Sequence, residues 1–204
     1  MGQELNKQVM VALDVDSREK ALALAEELKG SGCWLKVGME LYNATGASII
    51  AELKEKGFPI FLDLKLHDIP NTVKKAVRVL ARYGADMLTI HCSGGYEMLK
   101  WAVEGTEEIS QETGQEPMKL VGITVLTSLD EEKLHQDLGV SRSLPEQVVS
   151  LAQLAQKAGL AGVVASPPES KILRENLGPE FLIITPGIRP QGSQTQDQVR
   201  VLTP

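Results

Sequence analysis

An amphipathic helical run, a glycine and then a short strand rich in β-branched residues recur along the whole chain, and this repetition limits what it can fold into. Residues 9–15 read as the first strand, with Val11, Leu13 and Val15 on one face and Ala12 and Asp14 on the other. Ser17 is placed to cap a helix with the apolar stripe Ala21, Leu24, Ala25 and Leu28, ended by Gly30 and Gly32. A second strand over 33–37 sets Lys36 opposite Leu35 and Val37, and a helix over about 47–56 closes at Gly57. After a central strand, Asn71 or Asp68 is expected to cap a third helix, with the stripe Val73, Ala76, Val77, Leu80 and Ala81. Strands over 86–91, 120–126, 161–165 and 181–185 follow, with one helix after the Cys92-Ser93-Gly94-Gly95 turn and another over about 145–158. Such alternation predicts parallel strands joined by right-handed crossovers. No linker, low-complexity segment or change of composition interrupts it, so residues 1–204 read as one domain.

Two architectures satisfy that pattern, a closed (β/α)8 TIM-type barrel and a doubly wound open sheet. A dinucleotide fold would place Gly-x-Gly-x-x-Gly after its first strand, and none stands there. The central stretch, from Phe61 through Asp63, Lys65 and Asp68 to Thr72, favours the barrel. Leu62, Leu64 and Leu66 share one face, and Asp63, Lys65 and nominally His67 the other. Leucine under helices and charge lining a barrel mouth accounts for both faces. Asp68 follows the apolar run beside Pro70 and is expected in the loop. The reading yields seven strands, so a closed ring predicts a further unit beyond Pro204.

Asp14, Lys36, Asp63 and Lys65 fall near the C-terminal ends of three successive strands. Any one of them has a bland explanation: Asp14 or Asp16 as a helix cap, or a lysine neutralising its neighbour. Four converging on one mouth point to function, because buried charge is costly unless paired. His67 and His91, with Asp63 or Asp68, offer metal-ligand chemistry, but an ammonium two residues from Asp63 on the same face opposes a divalent cation. The net charge of -6 argues against nucleic acid as partner and for a small molecule. Cys33 and Cys92 lack metal-ligand spacing and read as buried thiols of a reducing cytoplasm, and no run is long and apolar enough to span a membrane. The glycine-bearing stretch from Thr185 through Arg189 to Gln198 reads as a phosphate-binding loop and flap.

Together these motifs resemble the orotidine 5′-phosphate decarboxylase family. The likeness runs from Val11 to the end of the chain and is carried by Asp63-Leu64-Lys65-Leu66-His67-Asp68-Ile69-Pro70-Asn71-Thr72. Leu13-Asp14, Lys36-Val37-Gly38, Val125-Leu126-Thr127-Ser128 and Thr185-Pro186-Gly187-Ile188-Arg189 support it. The resemblance implies decarboxylation of orotidine 5′-phosphate to UMP, without metal or organic cofactor. Lys65 would be the proton donor to C6, in a charge array with Lys36, Asp63 and Asp68. Asp14 and Lys36 would hold ribose hydroxyls, Thr127 and Ser128 the ribose and pyrimidine edge, and Arg189 and Gln198 the phosphate side. It further implies a homodimer in which Asp68, Ile69 and Thr72 reach into the partner's site. The family's last strand ends in a Gly-Arg pair whose arginine binds phosphate, and residues 1–204 contain no such unit. Two rivals remain: a metal-dependent sugar-phosphate lyase on the same scaffold, and an inactive barrel that only binds nucleotides.

Overall fold

The computed structural model describes residues 9–188, and within them seven parallel strands follow one another in sequence order across a single sheet. They are β1 (Met10–Ala12), β2 (Trp34–Gly38), β3 (Ile60–Leu66), β4 (Met87–His91), β5 (Lys119–Ile123), β6 (Gly162–Val164) and β7 (Leu182–Ile184). A doubly wound sheet must reverse its strand order at a switch point, and this order never reverses, which decides for the barrel architecture. Met10, Trp34, Phe61, Met87, Val121, Val164 and Ile184, one from each strand, pack into one apolar cluster inside the curl. The two edge strands also bound one cavity, since Ala12 of β1 and Ile184 of β7 both line it.

The opposite face of each strand packs under helices. Leu13, Leu35, Val37, Leu62, Leu88 and Ile90 are buried in the larger outer core. The covering helices are α1 (Arg18–Glu27), α2 (Met39–Thr45), α3 (Ser48–Glu55), α4 (Pro70–Arg82), α5 (Tyr96–Thr113), α6 (Glu131–Gln136), α7 (Leu144–Ala158) and α8 (Ser170–Leu177). Ser17 caps α1 as expected, its hydroxyl accepting from the Lys20 N–H. The cap expected for α4 differs. Neither Asn71 nor Asp68 fills it; Ile69 stands at the N-cap without a side-chain bond, and Pro70 opens the first turn. Proline fixes a helical φ where an N–H would be unsatisfied anyway, so the helix starts there without a polar cap. Helices α2, α6 and α8 are additional to the expected ones. They are six to eight residues long.

Cys92 lies fully buried in the turn after β4, where desolvation pushes its thiol up to about 12. Both thiols, Cys33 and Cys92, are free. Gly122 on β5 is required by this packing, because a Cβ there would collide with the Cys92 Sγ.

Candidate active site

The charged residues of the first three strands meet at the C-terminal mouth of the sheet. Asp14 follows β1, Lys36 lies in β2, and Asp63 and Lys65 lie in β3. They form a row of alternating sign. Lys36 Nζ stands 3.6 Å from Asp14 Oδ1 and 3.6 Å from Asp63 Oδ2, and Lys65 Nζ stands 2.9 Å from Asp63 Oδ1. Asp63 is the best shielded of the four, with 17% of its side chain exposed, whereas Asp14 at the open end keeps 66%. The row forms one wall of a cavity of about 260 Å³. Ile123, Val164 and Ile184 make its apolar floor, and Thr127 with Thr185 and Gly187 lies across from the charges.

The backbone of β3 is irregular just where Asp63 and Lys65 serve the mouth. β3 pairs regularly with β4 at Leu62↔Leu88 and next at Leu66↔Ile90, so β3 advances by four residues while β4 advances by two. The surplus is a bulge, and Lys65 sits in it with φ 51°, the one positive φ outside glycine among the described residues. The left-handed conformation costs a residue with a Cβ about 1–2 kcal/mol. The Thr89 hydroxyl holds it: Oγ1 accepts from the Lys65 N–H at 2.8 Å and donates to Asp63 Oδ1 at 3.1 Å. Thr89 was not among the expected site residues. It shares strand parity with Met87 and His91, and a lone hydroxyl within an otherwise apolar Met-Leu-Thr-Ile run was the available signal.

Asp68 lies in the loop between β3 and α4, as expected, and is exposed. Its Oδ1 accepts the Ile69 N–H at 2.7 Å, and it makes no ion pair with any described residue. Ile69 is 67% exposed, and Thr72 in the first turn of α4 is exposed too. This chain therefore does not bring Asp68, Ile69 and Thr72 into its own charge row. Ser128 is exposed and is not part of the cavity wall, unlike its neighbour Thr127. Arg189 and Gln198 lie outside the described residues.

The imidazoles of His67 and His91 face each other with centroids 5.3 Å apart. Among the described residues no three His, Cys, Asp or Glu side chains stand together as a metal would need. His91 is held below its ordinary value of 6.5, first by burial, then by His67 and Lys65, with Asp63 opposing. A histidine whose folded pKa is depressed favours unfolding once the unfolded chain binds the proton first. Its stability contribution is thus present above 6.5 and is lost as pH falls from there through the lower folded value. Melting temperatures at pH 7 and pH 5 should fall less for His91→Asn than for the unaltered protein; equal falls would show that other groups set the slope.

A larger cavity of about 450 Å³ opens at the opposite end of the strands. There Lys54 Nζ is closed onto both oxygens of Asp86 at 2.8 Å, and Asp86 also accepts the Ile60 N–H. That pair satisfies itself, and in a barrel of this kind the chemistry belongs to the C-terminal mouth.

Fold and mouth together define a class, a (β/α)-barrel enzyme that acts on a small molecule through an alternating row of carboxylate and ammonium groups. Residues 7–204 match the model of the orotidine 5′-phosphate decarboxylase / HUMPS family. The chain belongs to that family, and as a member it is a carboxy-lyase. It is similar to orotidine 5′-phosphate decarboxylase of Heliobacterium modesticaldum, with 46% identity over 98% of this chain and 83% of the relative. The enzyme of the same name from Bacillus pumilus is 47% identical over 96% of this chain and 83% of its own length. The crystal structure of orotidine 5′-phosphate decarboxylase from Lactobacillus acidophilus superposes with a TM-score of 0.84 at 42% identity, over 89% of this chain and 81% of that one. No helix among the described residues is long and apolar enough to cross a membrane.

Proposed function

We propose that this chain decarboxylates orotidine 5′-phosphate to UMP at the mouth, without a metal or organic cofactor, and that Lys65 delivers the proton to C6. The observation that carries the reading is the Lys36–Asp63–Lys65 row, set in a cavity of a family member and flanked by apolar walls. Loss of CO₂ breaks the bond between C6 and the carboxylate carbon and leaves an electron pair at C6. That pair lies in the plane of the pyrimidine and cannot spread as an enolate's does. A preplaced ammonium stabilises it and then protonates it, giving UMP and a neutral amine that regains its proton from solvent. Lys65 Nζ, fixed against Asp63 at 2.9 Å, supplies such a group.

Asp14 and Lys36 take the ribose hydroxyls, Thr127 and Ser128 the ribose and base edge, and Arg189 and Gln198 the phosphate side. Phosphate contacts far from C6 would convert binding energy into closure over the reacting carbon. Asp68, Ile69 and Thr72, which are exposed and of which Asp68 forms no ion pair with its own chain's row, complete the site of a second copy in a homodimer. The buried free thiols Cys33 and Cys92 suit the cytoplasm.

The test is orotidine 5′-phosphate turnover in the presence of a strong chelator, with UMP binding measured on the same sample. Release of CO₂ and formation of UMP at an unchanged rate is expected. Loss of turnover restored by a divalent metal would transfer the site to the metal-dependent sugar-phosphate type. Binding of UMP without any turnover would leave a nucleotide-binding barrel.

A further inference from the structure

We propose that Thr89 is a positioning residue for the reaction, setting the geometry of both Lys65 and Asp63 through one hydroxyl; the inference rests on the reading of Lys65 as proton donor. Three observations meet at this side chain. Thr89 is 0% exposed and is absent from the cavity wall, so it does not touch a substrate. It stands on β4 opposite the stretch where β3 gains its two surplus residues, between the pairings Leu62↔Leu88 and Leu66↔Ile90. Its Oγ1 accepts the Lys65 N–H at 2.8 Å and donates to Asp63 Oδ1 at 3.1 Å.

The first bond gives the Lys65 N–H a partner where the register of the ladder is broken. It thereby holds the one left-handed side-chain-bearing residue among the described residues in the conformation that projects its ammonium over the mouth. The second bond fixes which way the Asp63 carboxylate turns. With Thr89 and Lys65 both on Oδ1, Oδ2 is left to face Lys36 at 3.6 Å. One hydroxyl therefore orders the acid and its counter-charge together. Valine keeps the β-branched shape of threonine and removes only that hydroxyl, whereas serine keeps the hydroxyl and removes a methyl.

Thr89→Val, Thr89→Ala and Thr89→Ser are compared with Lys65→Ala in the full chain. A misplacement of about 1 Å at the reacting groups costs on the order of 10²-fold. Thr89→Val and Thr89→Ala are accordingly expected to lose about that factor in kcat while UMP affinity stays within about threefold, and Thr89→Ser to recover most of the rate. The Lys65 backbone amide, read by hydrogen exchange, should exchange at least about tenfold faster in Thr89→Val, independently of any turnover. An unchanged kcat or an unchanged Lys65 amide in both hydroxyl-free variants overturns the positioning role. So does a Thr89→Ser protein as impaired as Thr89→Val, which would make the effect one of packing. An inactive Lys65→Ala beside a fully active Thr89→Val overturns this inference alone; a Lys65→Ala with normal turnover overturns the proton-donor reading itself.

Discussion

Lys65→Ala is expected to lower turnover of orotidine 5′-phosphate by roughly 10⁴-fold or more while leaving UMP affinity within about tenfold. The Lys65 ammonium is held by Asp63 Oδ1 at 2.9 Å and by its bulged backbone, and only 28% of its side chain is exposed. In the proposed binding mode it faces the reacting carbon, while Asp14 and Lys36 face the ribose. Removing it deletes an interaction that grows only as charge develops at C6, which is the signature of a fall in kcat without a matching rise in Kd for product. Binding of UMP, measured calorimetrically alongside single-turnover rates, separates the two. Loss of UMP affinity comparable to the loss of rate would place Lys65 among the ground-state binding groups. The ion pair itself makes the variant informative about stability. Alanine leaves Asp63 with the Thr89 hydroxyl and the more distant Lys36, so a partly buried carboxylate loses its nearest cation, and some loss of stability accompanies the change.

Much of this arrangement is readable in the sequence because strand parity is a two-state variable. Once residues 61–66 are read as a strand under helices, Leu62 must face the opposite side from Asp63 and Lys65, and the structure places them so. Asp14 and Lys36 follow from the same rule applied to the first two strands. The alternating pattern alone fits barrel and open sheet alike; the inward charges on successive strands and the missing Gly-x-Gly-x-x-Gly favoured the barrel, and the unreversed strand order bears that out. The bulge was hidden for a different reason. Nothing in Asp-Leu-Lys-Leu calls for a positive φ, and the conformation is imposed by the neighbouring strand and by the Thr89 hydroxyl. Tertiary context sets it, and propensity cannot report it. The cap of α4 failed similarly. Asp68 and Asn71 are good capping residues, yet Pro70 moved the helix start so that neither stands at the N-cap. What remained legible there was the loop position of Asp68, whose carboxylate turns to the Ile69 N–H.

That outward-lying loop leads to the second large effect, activity regained by mixing two inactive proteins. Lys65→Ala and Asp68→Ala should each be inactive as homodimers if every site uses Lys65 of its own chain and Asp68 of the other. In a mixed dimer the site on the Lys65→Ala chain lacks both groups. The site on the Asp68→Ala chain keeps its own Lys65 and receives an intact Asp68 from across the interface. Random exchange of equal amounts makes about half of the dimers mixed, each with one working site of two, so about a quarter of unaltered activity should return. The structural ground is that Asp68 has no ion-pair partner among the described residues of its own chain, although Lys36 and Lys65 stand at the adjacent mouth. Ile69 beside it leaves 67% of its surface uncovered, an apolar side chain that a second copy would cover. Subunits are exchanged by co-expression with two different tags, and the doubly tagged dimers are purified before assay, where half of unaltered activity per dimer is then expected. Purified mixed dimers without activity would return Asp68 to its own subunit, and full activity in the Asp68→Ala homodimer would remove it from the chemistry altogether.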